Sequence, residues 1–322
     1  VGLEDDVYAI GLRQTIIPSE RPDLTTNLLA AREKMRTRLD EGNISDFVES
    51  FDAEKFNSNA SVAENILFGT PVGETFEIEN LGHNDYVMGL LDKVGLKEEF
   101  MKKGQRLAEI MVDLFQGLAP DHEFWERFSF IGPDDLPEFQ AILKRIGQNG
   151  LEKASTEDRA LLVELPFKLI PARHHLGLVD EEFEARILEA RREFSGNLPE
   201  DLKGAVEFFG AGSYNAASSI QDNILFGKRA SERAGSSQKV GEVLAQVIDE
   251  TGLRNEVIDI GLDYDVAIGG ARLSPIQRQK LAIARSLIKR PELLIMNEAM
   301  SGLDSESQKE VLEGVRQEQE GK

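Results

Sequence analysis

Apolar residues recur every three or four positions in several stretches of the chain, which is the spacing of an amphipathic helix. One such stretch opens at Pro22 and closes at Gly42. Proline at the start and glycine just past the end are typical helix boundaries, so the pattern predicts a helix between them. Its apolar stripe consists of Leu24, Leu28, Met35 and Leu39.

Two further helices are predicted from their starting residues. Ser155 is followed three positions later by Asp158, which is the pattern of a hydroxyl cap and an acidic residue in the first turn. Asp180 precedes an apolar stripe that contains Phe183, and the Ser195–Asn197 stretch ends it. The first 205 residues are therefore expected to be mostly helical.

Strand signals are few in this chain. The clearest is the apolar run Leu293-Leu294-Ile295-Met296, which follows Pro291 and leads into polar residues. The pattern as a whole predicts a mainly α protein with a small α/β part.

An internal repeat organises the sequence. Ser61-Val62-Ala63-Glu64-Asn65-Ile66-Leu67-Phe68-Gly69 returns as Ser219-Ile220-Gln221-Asp222-Asn223-Ile224-Leu225-Phe226-Gly227, with six of nine residues identical. Phe56-Asn57 corresponds to Tyr214-Asn215 upstream, and residues 87–96 parallel residues 243–253 downstream. The repeat predicts two related helical units rather than a chance recurrence.

The repeat and the helix boundaries suggest three divisions of the chain. Residues 1–154 form a helical region with a first repeated unit at about 56–96, and residues 155–204 form connecting helices. Residues 205–322 contain the second unit and the strongest motifs.

The composition of the chain argues against several classes of function. The 322 residues carry 58 Asp+Glu against 37 Lys+Arg, a net charge of −21, which argues against a nucleic-acid-coating protein. Cysteine is absent, so disulfides, thiolate metal sites and cysteine nucleophiles are excluded. No run of about 18 apolar residues exists, so no segment is expected to span a membrane.

The residues around 273–304 carry the candidate chemistry. Gln277 to Lys289 is predicted as a helix with an apolar stripe and a basic opposite face. Ser274 stands just before its N-terminus, where a hydroxyl and backbone N–H groups can meet an anion. The run after Pro291 is predicted to bring Asn297 and Glu298 to a strand end. The stripe consists of Leu281, Ala284, Leu287 and Ile288.

This order of motifs resembles the signature helix, Walker B strand and D-loop of an ATP-binding-cassette (ABC) transporter nucleotide-binding domain of the exporter type. The block Ser219–Gly227 is similar to the start of that domain's helical subdomain. The resemblance covers about residues 205–310, and residues 56–96 weakly through the repeat. It implies helical-subdomain-like units with part of a P-loop NTPase core.

The resemblance implies roles for particular residues. The signature positions that face the γ-phosphate of ATP would be Leu273, Ser274, Pro275, Ile276 and Gln277. Glu298 would be the catalytic glutamate that polarises the attacking water, and Asn297 would take the Mg²⁺ position in place of aspartate. The D-loop would be Ser301, Gly302, Leu303 and Asp304.

The sequence departs from the family pattern at important positions. Pro275 and Ile276 replace the usual glycines, so one N–H is lost and bulk is added where phosphate must approach. No G-x-x-x-x-G-K-[ST] loop occurs, and no glutamine lies between Pro199 and Ile220 at the expected place before the second unit.

Two functions are therefore compatible with the sequence. In the first, the chain supplies cassette elements for ATP-driven transport, with ATP and Mg²⁺ in the full assembly. Its partners would be a second nucleotide-binding domain and a membrane domain, and it would be cytoplasmic, peripheral to the membrane through that partner. In the second, it is a degenerate, non-hydrolytic module for protein–protein contact or regulation.

Overall fold

The computed structural model describes residues 2–42, 45–125, 129–230, 233, 235–303 and 305–319. Helices dominate this part of the chain. The first seven are α1 (Leu3–Leu12), α2 (Pro22–Glu41), α3 (Val62–Leu67), α4 (Asp85–Lys93), α5 (Lys97–Phe115), α6 (Leu136–Asn149) and α7 (Thr156–Phe167). The others are α8 (Pro171–His174), α9 (Glu181–Gly196), α10 (Ile220–Leu225), α11 (Ser236–Glu250), α12 (Arg254–Leu262), α13 (Pro275–Ile288) and α14 (Ser305–Gln319).

Four three-residue strands form two small antiparallel sheets. Strand β1 (Val48–Ser50) pairs with β4 (Gly227–Arg229), and β2 (Gly69–Pro71) pairs with β3 (Val206–Phe208). Each sheet therefore joins one strand from each repeat. The predicted fold class, mainly α with a small strand content, is confirmed.

The helices predicted from sequence are present. Helix α2 begins at Pro22 and ends before Gly42. The Ser155 hydroxyl accepts a hydrogen bond from the Asp158 N–H at the start of α7, and Asp180 caps α9 in the same way. The division into residues 1–154, 155–204 and 205–322 stays a prediction.

Apolar packing groups the described residues into two lobes and a smaller C-terminal cluster. We call the first the inner lobe, because its core comes from the continuous stretch 62–206. We call the second the outer lobe, because its core comes from residues 8–48 and 214–260 on either side of that stretch. A small third cluster joins α13 to α14.

The repeat extends much further than the sequence identity. Helices α2 and α9 precede β1 and β3, and both bury the same face. Leu24, Leu28, Ala31 and Met35 of α2 correspond to Phe183, Ile187, Ala190 and Phe194 of α9. The remaining elements follow in the same order, so α3, β2, α4 and α5 correspond to α10, β4, α11 and α12.

The first helices of each repeat pack against the later helices of the other repeat. Helix α2 packs against α10 of the second repeat, and α9 packs against α3 of the first. Helix α1 packs against α12, while α7 packs against α5. Each lobe thus takes the front part of one repeat and the back part of the other.

A buried arginine stabilises each of these contacts between the repeats. Arg191 of α9 donates to the carbonyl oxygens of Asp52, Ala53, Lys55 and Asn65 and to Oδ1 of Asn65, at 2.7–3.0 Å. Arg32 of α2 donates to the carbonyl oxygens of Gly210, Ala211, Ser213 and Asn223 and to Oδ1 of Asn223, at 2.7–3.1 Å. Both arginines are only 4% exposed.

Burial disfavours the charged form of both guanidinium groups and so lowers the pKa of each. It lowers the pKa of Arg191 to about 10, and it lowers the pKa of Arg32 as well. Each guanidinium also lies over a phenylalanine ring, Arg191 over Phe68 and Arg32 over Phe226. Carbonyl dipoles and ring faces thus surround both cations, which stay charged at neutral pH.

Four phenylalanines meet between the lobes. Phe51 stacks on Phe209 with ring centres 4.1 Å apart. Phe68 and Phe226 contact both of them edge to face. Phe68 and Phe226 also hold left-handed backbone angles, φ 43° and 45°, where each repeat turns from helix into strand. The same strained turn therefore recurs at both copies of the repeated motif.

We predict that Arg191→Lys lowers the free energy of unfolding by about 3 kcal/mol, because an ammonium group cannot satisfy five acceptors at once. Urea denaturation followed by circular dichroism measures the change. Arg192→Lys is the control, because that side chain is 62% exposed. Equal losses of stability at the two positions would contradict the stabilising role of the buried Arg191 hydrogen bonds.

We also predict that Gly104→Ala destabilises the protein by about 2 kcal/mol or more. A Cβ at residue 104 would lie 1.9 Å from the Leu162 carbonyl oxygen, where α5 crosses α7. Gly89→Ala is the control, because a Cβ there meets nothing within 4 Å and should stabilise α4 by up to about 1 kcal/mol. Thermal melting compares them, and a neutral Gly104→Ala would disprove the close crossing.

Candidate functional site

The predicted signature residues form the start of α13. Ser274 is the N-cap, and its Oγ accepts from the Gln277 N–H at 3.1 Å. The Gln277 Oε1 in turn accepts from the Ser274 N–H at 3.0 Å, which completes a capping box. Pro275 occupies the first helical position, and Leu273 before the cap is buried.

This cap leaves little for an anion. Ser274 and Gln277 use their N–H groups on each other, and proline has none. Within the described contacts, the Ile276 N–H is the one first-turn donor that remains without an acceptor. The side chain of Ile276 is 39% exposed beside it. The helix terminus therefore offers one backbone donor and an apolar side chain.

Helix α13 docks on the outer lobe through α1. The Lys280 ammonium contacts Asp6 Oδ2 at 2.9 Å, and Gln277 Nε2 donates to Asp6 Oδ1 at 3.4 Å. The predicted apolar stripe is partly wrong, because Leu281 and Ile288 are exposed. Ile283 and Leu287 are the buried positions, because the helix turns that face toward α14.

A similar arrangement exists in the inner lobe. Helix α6 follows α5 there as α13 follows α12, and Arg145 of α6 pairs with Asp158 in the first turn of α7. Helix α6 is packed more deeply than α13. It buries Leu136, Phe139, Ile142 and Ile146.

The predicted D-loop lies against α13. Gln279 Oε1 accepts from the Gly302 N–H at 3.3 Å, and Gln279 Nε2 donates to Ser301 Oγ at 3.5 Å. Leu303 is buried beneath the turn, and Gln308 of α14 donates to the carbonyl oxygens of Met300 and Leu303. Asp304 lies outside the described residues.

The predicted strand before Glu298 is not formed. Residues 293–296 belong to no sheet, because a strand needs a hydrogen-bonded neighbour and the described part of the chain places none beside them. Asn297 and Glu298 are both exposed, and Glu298 has a left-handed φ of 49°. Their side chains make no hydrogen bond or ion pair with any described residue.

The structure therefore brings together only part of the predicted site. It joins α13 to the Ser301–Gly302 turn through Gln279, and it gives no contact between Ser274 and Glu298 within the described residues. Sequence reasoning missed the roles of Gln279, Lys280 and Asp6. An acidic residue in the first turn of α1 gives no signal that it will meet a helix so far along the chain.

The donor set does not fit ATP with Mg²⁺ by itself. The start of α13 offers one free N–H, and the described residues hold no group of three side chains that could bind a metal ion. No described helix is long and apolar enough to cross a membrane.

Comparisons with known proteins give three partial likenesses. A putative export ATP-binding/permease protein of Rickettsia bellii is 29% identical over 126 residues, 38% of this chain and 20% of that protein. An ATP-dependent lipid A-core flippase of Xylella fastidiosa is 30% identical over 173 residues, 53% of this chain and 26% of that protein. An ABC transporter of Fusarium pseudograminearum is 39% identical over 90 residues, 28% of this chain and 6% of that protein.

The matches are limited in extent. The chain spans about a fifth of the length of the Rickettsia protein. No family model matches the chain, and no solved structure matches it. The three likenesses nevertheless agree with one another, since all are to ATP-dependent exporters, permeases or ABC transporters. The chain is thus similar over part of its length to ABC exporters and ATP-binding permeases, and this similarity supports an ABC transporter-like domain.

Proposed function

We propose that this chain serves an ABC exporter by contributing signature, Walker B and D-loop elements to ATP-driven transport. The observation that supports the proposal is the contact of Gln279 in α13 with Ser301 and Gly302, the residues proposed here as part of the D-loop. A partner cassette would hold the β- and γ-phosphates, because this sequence has no P-loop.

Particular residues would act in the full assembly. Glu298 would orient and polarise the attacking water, and its exposed side chain is accessible for that role. Asn297 would face Mg²⁺ as a weak neutral ligand. The chain would be cytoplasmic and peripheral to the membrane, with a second nucleotide-binding domain and a transporter membrane domain as its partners.

A second function is favoured by a different observation. The capping box engages Ser274 and Gln277, and Pro275 removes another donor, so the helix start offers a phosphate one backbone N–H. A cassette-derived module that no longer hydrolyses ATP, and acts through protein–protein contact or regulation, would have such a start. The two functions differ in whether Glu298 matters for turnover.

We predict that Glu298→Gln in the reconstituted transporter lowers ATP turnover at least about a hundredfold, because the water loses its base. Phosphate release from the full assembly measures this. Glu292→Gln is the control, since Glu292 is an exposed acid in the same segment. Unchanged turnover in Glu298→Gln would favour the non-hydrolytic module. Asn297→Asp should raise Mg²⁺-dependent turnover if residue 297 faces the metal.

We predict that the isolated chain shows no micromolar binding of Mg-ATP in calorimetric titration, because one free N–H cannot hold a triphosphate. The double variant Pro275→Gly with Ile276→Gly restores a donor and removes bulk, so it should gain measurable affinity in the presence of the partner cassette. Tight binding by the unaltered chain would contradict a start of α13 that has one free donor.

A further inference from the structure

The carboxylate of Asp6 contacts two side chains of α13 at once. Its Oδ2 lies 2.9 Å from the Lys280 ammonium, and its Oδ1 accepts from Gln277 Nε2 at 3.4 Å. The second contact is long for a hydrogen bond, but the carboxylate charge still attracts the positive end of the amide dipole. The side chains of Asp6 and Lys280 are only 21% and 14% exposed, so water screens these interactions little.

The side-chain amide of Gln277 has one orientation that suits both of its neighbours. Its Oε1 accepts from the Ser274 N–H at 3.0 Å, and its Nε2 faces the Asp6 carboxylate. A flipped amide would set two N–H groups against each other at Ser274 and two oxygen atoms against each other at Asp6. Asp6 therefore selects the orientation in which the Ser274 N–H is occupied.

Helix α1 holds Asp6 in a fixed place because it crosses α12 at close range. A Cβ at Gly11 of α1 would lie 2.0 Å from the Val257 carbonyl oxygen, and a Cβ at Gly261 of α12 would lie 2.1 Å from the Val7 carbonyl oxygen. One glycine on each helix thus allows the backbones to touch, directly beside Asp6. The carboxylate is therefore carried on a rigid pair of helices.

The inner lobe has an ion pair of the same kind without a cap contact. Asp158 of α7 accepts from Arg145 Nε of α6 at 3.0 Å. The pair of Asp6 and Lys280 joins α1 to α13 in the same way. The N-cap residue of α6, Asp135, makes no side-chain cap hydrogen bond. Attachment by an acidic residue thus recurs in both lobes, and of these two helices only α13 has that residue in contact with its capping box.

We propose that Asp6 is a positioning residue for the start of α13, where it acts through Gln277 to set how many backbone N–H groups a nucleotide phosphate can meet. With Asp6 in place, the Ile276 N–H is the one free first-turn donor within the described contacts. Without Asp6, the Gln277 side chain can turn away, and the Ser274 N–H becomes a second free donor. The consequence for ATP rests on the proposed function, whereas the coupling of Asp6 to Ser274 requires no nucleotide.

Hydrogen exchange of the Ser274 amide tests this coupling in the full 322-residue chain by nuclear magnetic resonance. Asp6→Leu keeps the approximate shape of the side chain and removes the acceptor. It should raise the exchange rate of the Ser274 N–H at least about threefold and shift the Gln277 side-chain amide signals. Asp5→Leu is the matched control, because Asp5 lies in the same turn, is 83% exposed and pairs with Arg254 instead.

Two further variants separate positioning from simple attachment of α13. Lys280→Met removes the ion pair and leaves the contact of Asp6 with Gln277, so the Ser274 exchange rate should stay within about twofold. Gln277→Met should raise that rate by itself, and adding Asp6→Leu should raise it no further, because Asp6 acts through the amide. Circular dichroism checks that all variants keep their helices.

Three outcomes would overturn the proposal. They are an unchanged Ser274 exchange rate in Asp6→Leu, an equal increase in Lys280→Met, and a further increase when Asp6→Leu is added to Gln277→Met.

The reconstituted transporter then tests the consequence for ATP. Asp6→Leu should lower the KM for ATP at least about threefold, with kcat within about twofold, because the added donor strengthens binding. An unchanged KM together with faster Ser274 exchange would contradict the proposed function and leave the positioning role of Asp6 standing.

Discussion

Two buried guanidinium groups hold this molecule together. Arg32 and Arg191 sit on helices of opposite repeats, and each ties down the loop of the other repeat through five hydrogen bonds. Carbonyl oxygens rather than carboxylates supply most of the acceptors. The charge is therefore stabilised by the backbone conformation of the loop, and the loop conformation depends on the charge.

The loops fixed in this way set the positions of the neighbouring elements. Each loop lies between a short strand and the helix that opens the repeated motif, so anchoring it aligns the strands that pair between repeats. The phenylalanine cluster then fills the space where the two sheets approach. Helix α13 is held against α1 by the contact of Lys280 with Asp6. Its position therefore depends on the assembly of the outer lobe, to which α1 belongs.

Local rules in the sequence predicted local structure well. Pro22, Ser155 and Asp180 mark real helix starts, because caps and first-turn residues act within a few positions. The six residues that Ser61–Gly69 shares with Ser219–Gly227 revealed the repeat. They did not reveal that α2 corresponds to α9, because those helices share little beyond Arg32 and Arg191 and an apolar periodicity.

The failures of prediction also have physical reasons. Leu293–Met296 has the composition of a strand, but pairing depends on a neighbour that composition does not supply. Leu281 has the spacing of a buried residue, yet the buried face of α13 is chosen by α14 and α1. Ser274 and Gln277 were recognised as helix-start residues, whereas their mutual bonding, which occupies two backbone donors of that start, follows from rotamers that the pattern does not specify.

The crossed strand pairing has a consequence for the order in which the lobes can form during synthesis. The inner lobe comes from one continuous stretch, so it can complete its core once residue 206 has left the ribosome. Residues 8–48 emerge earlier but must wait for residues 214–260 before their apolar faces are covered. Until residues 214–260 follow, the apolar faces of α1 and α2 stay uncovered, so this is the stage at which a chaperone would protect the nascent chain from aggregation.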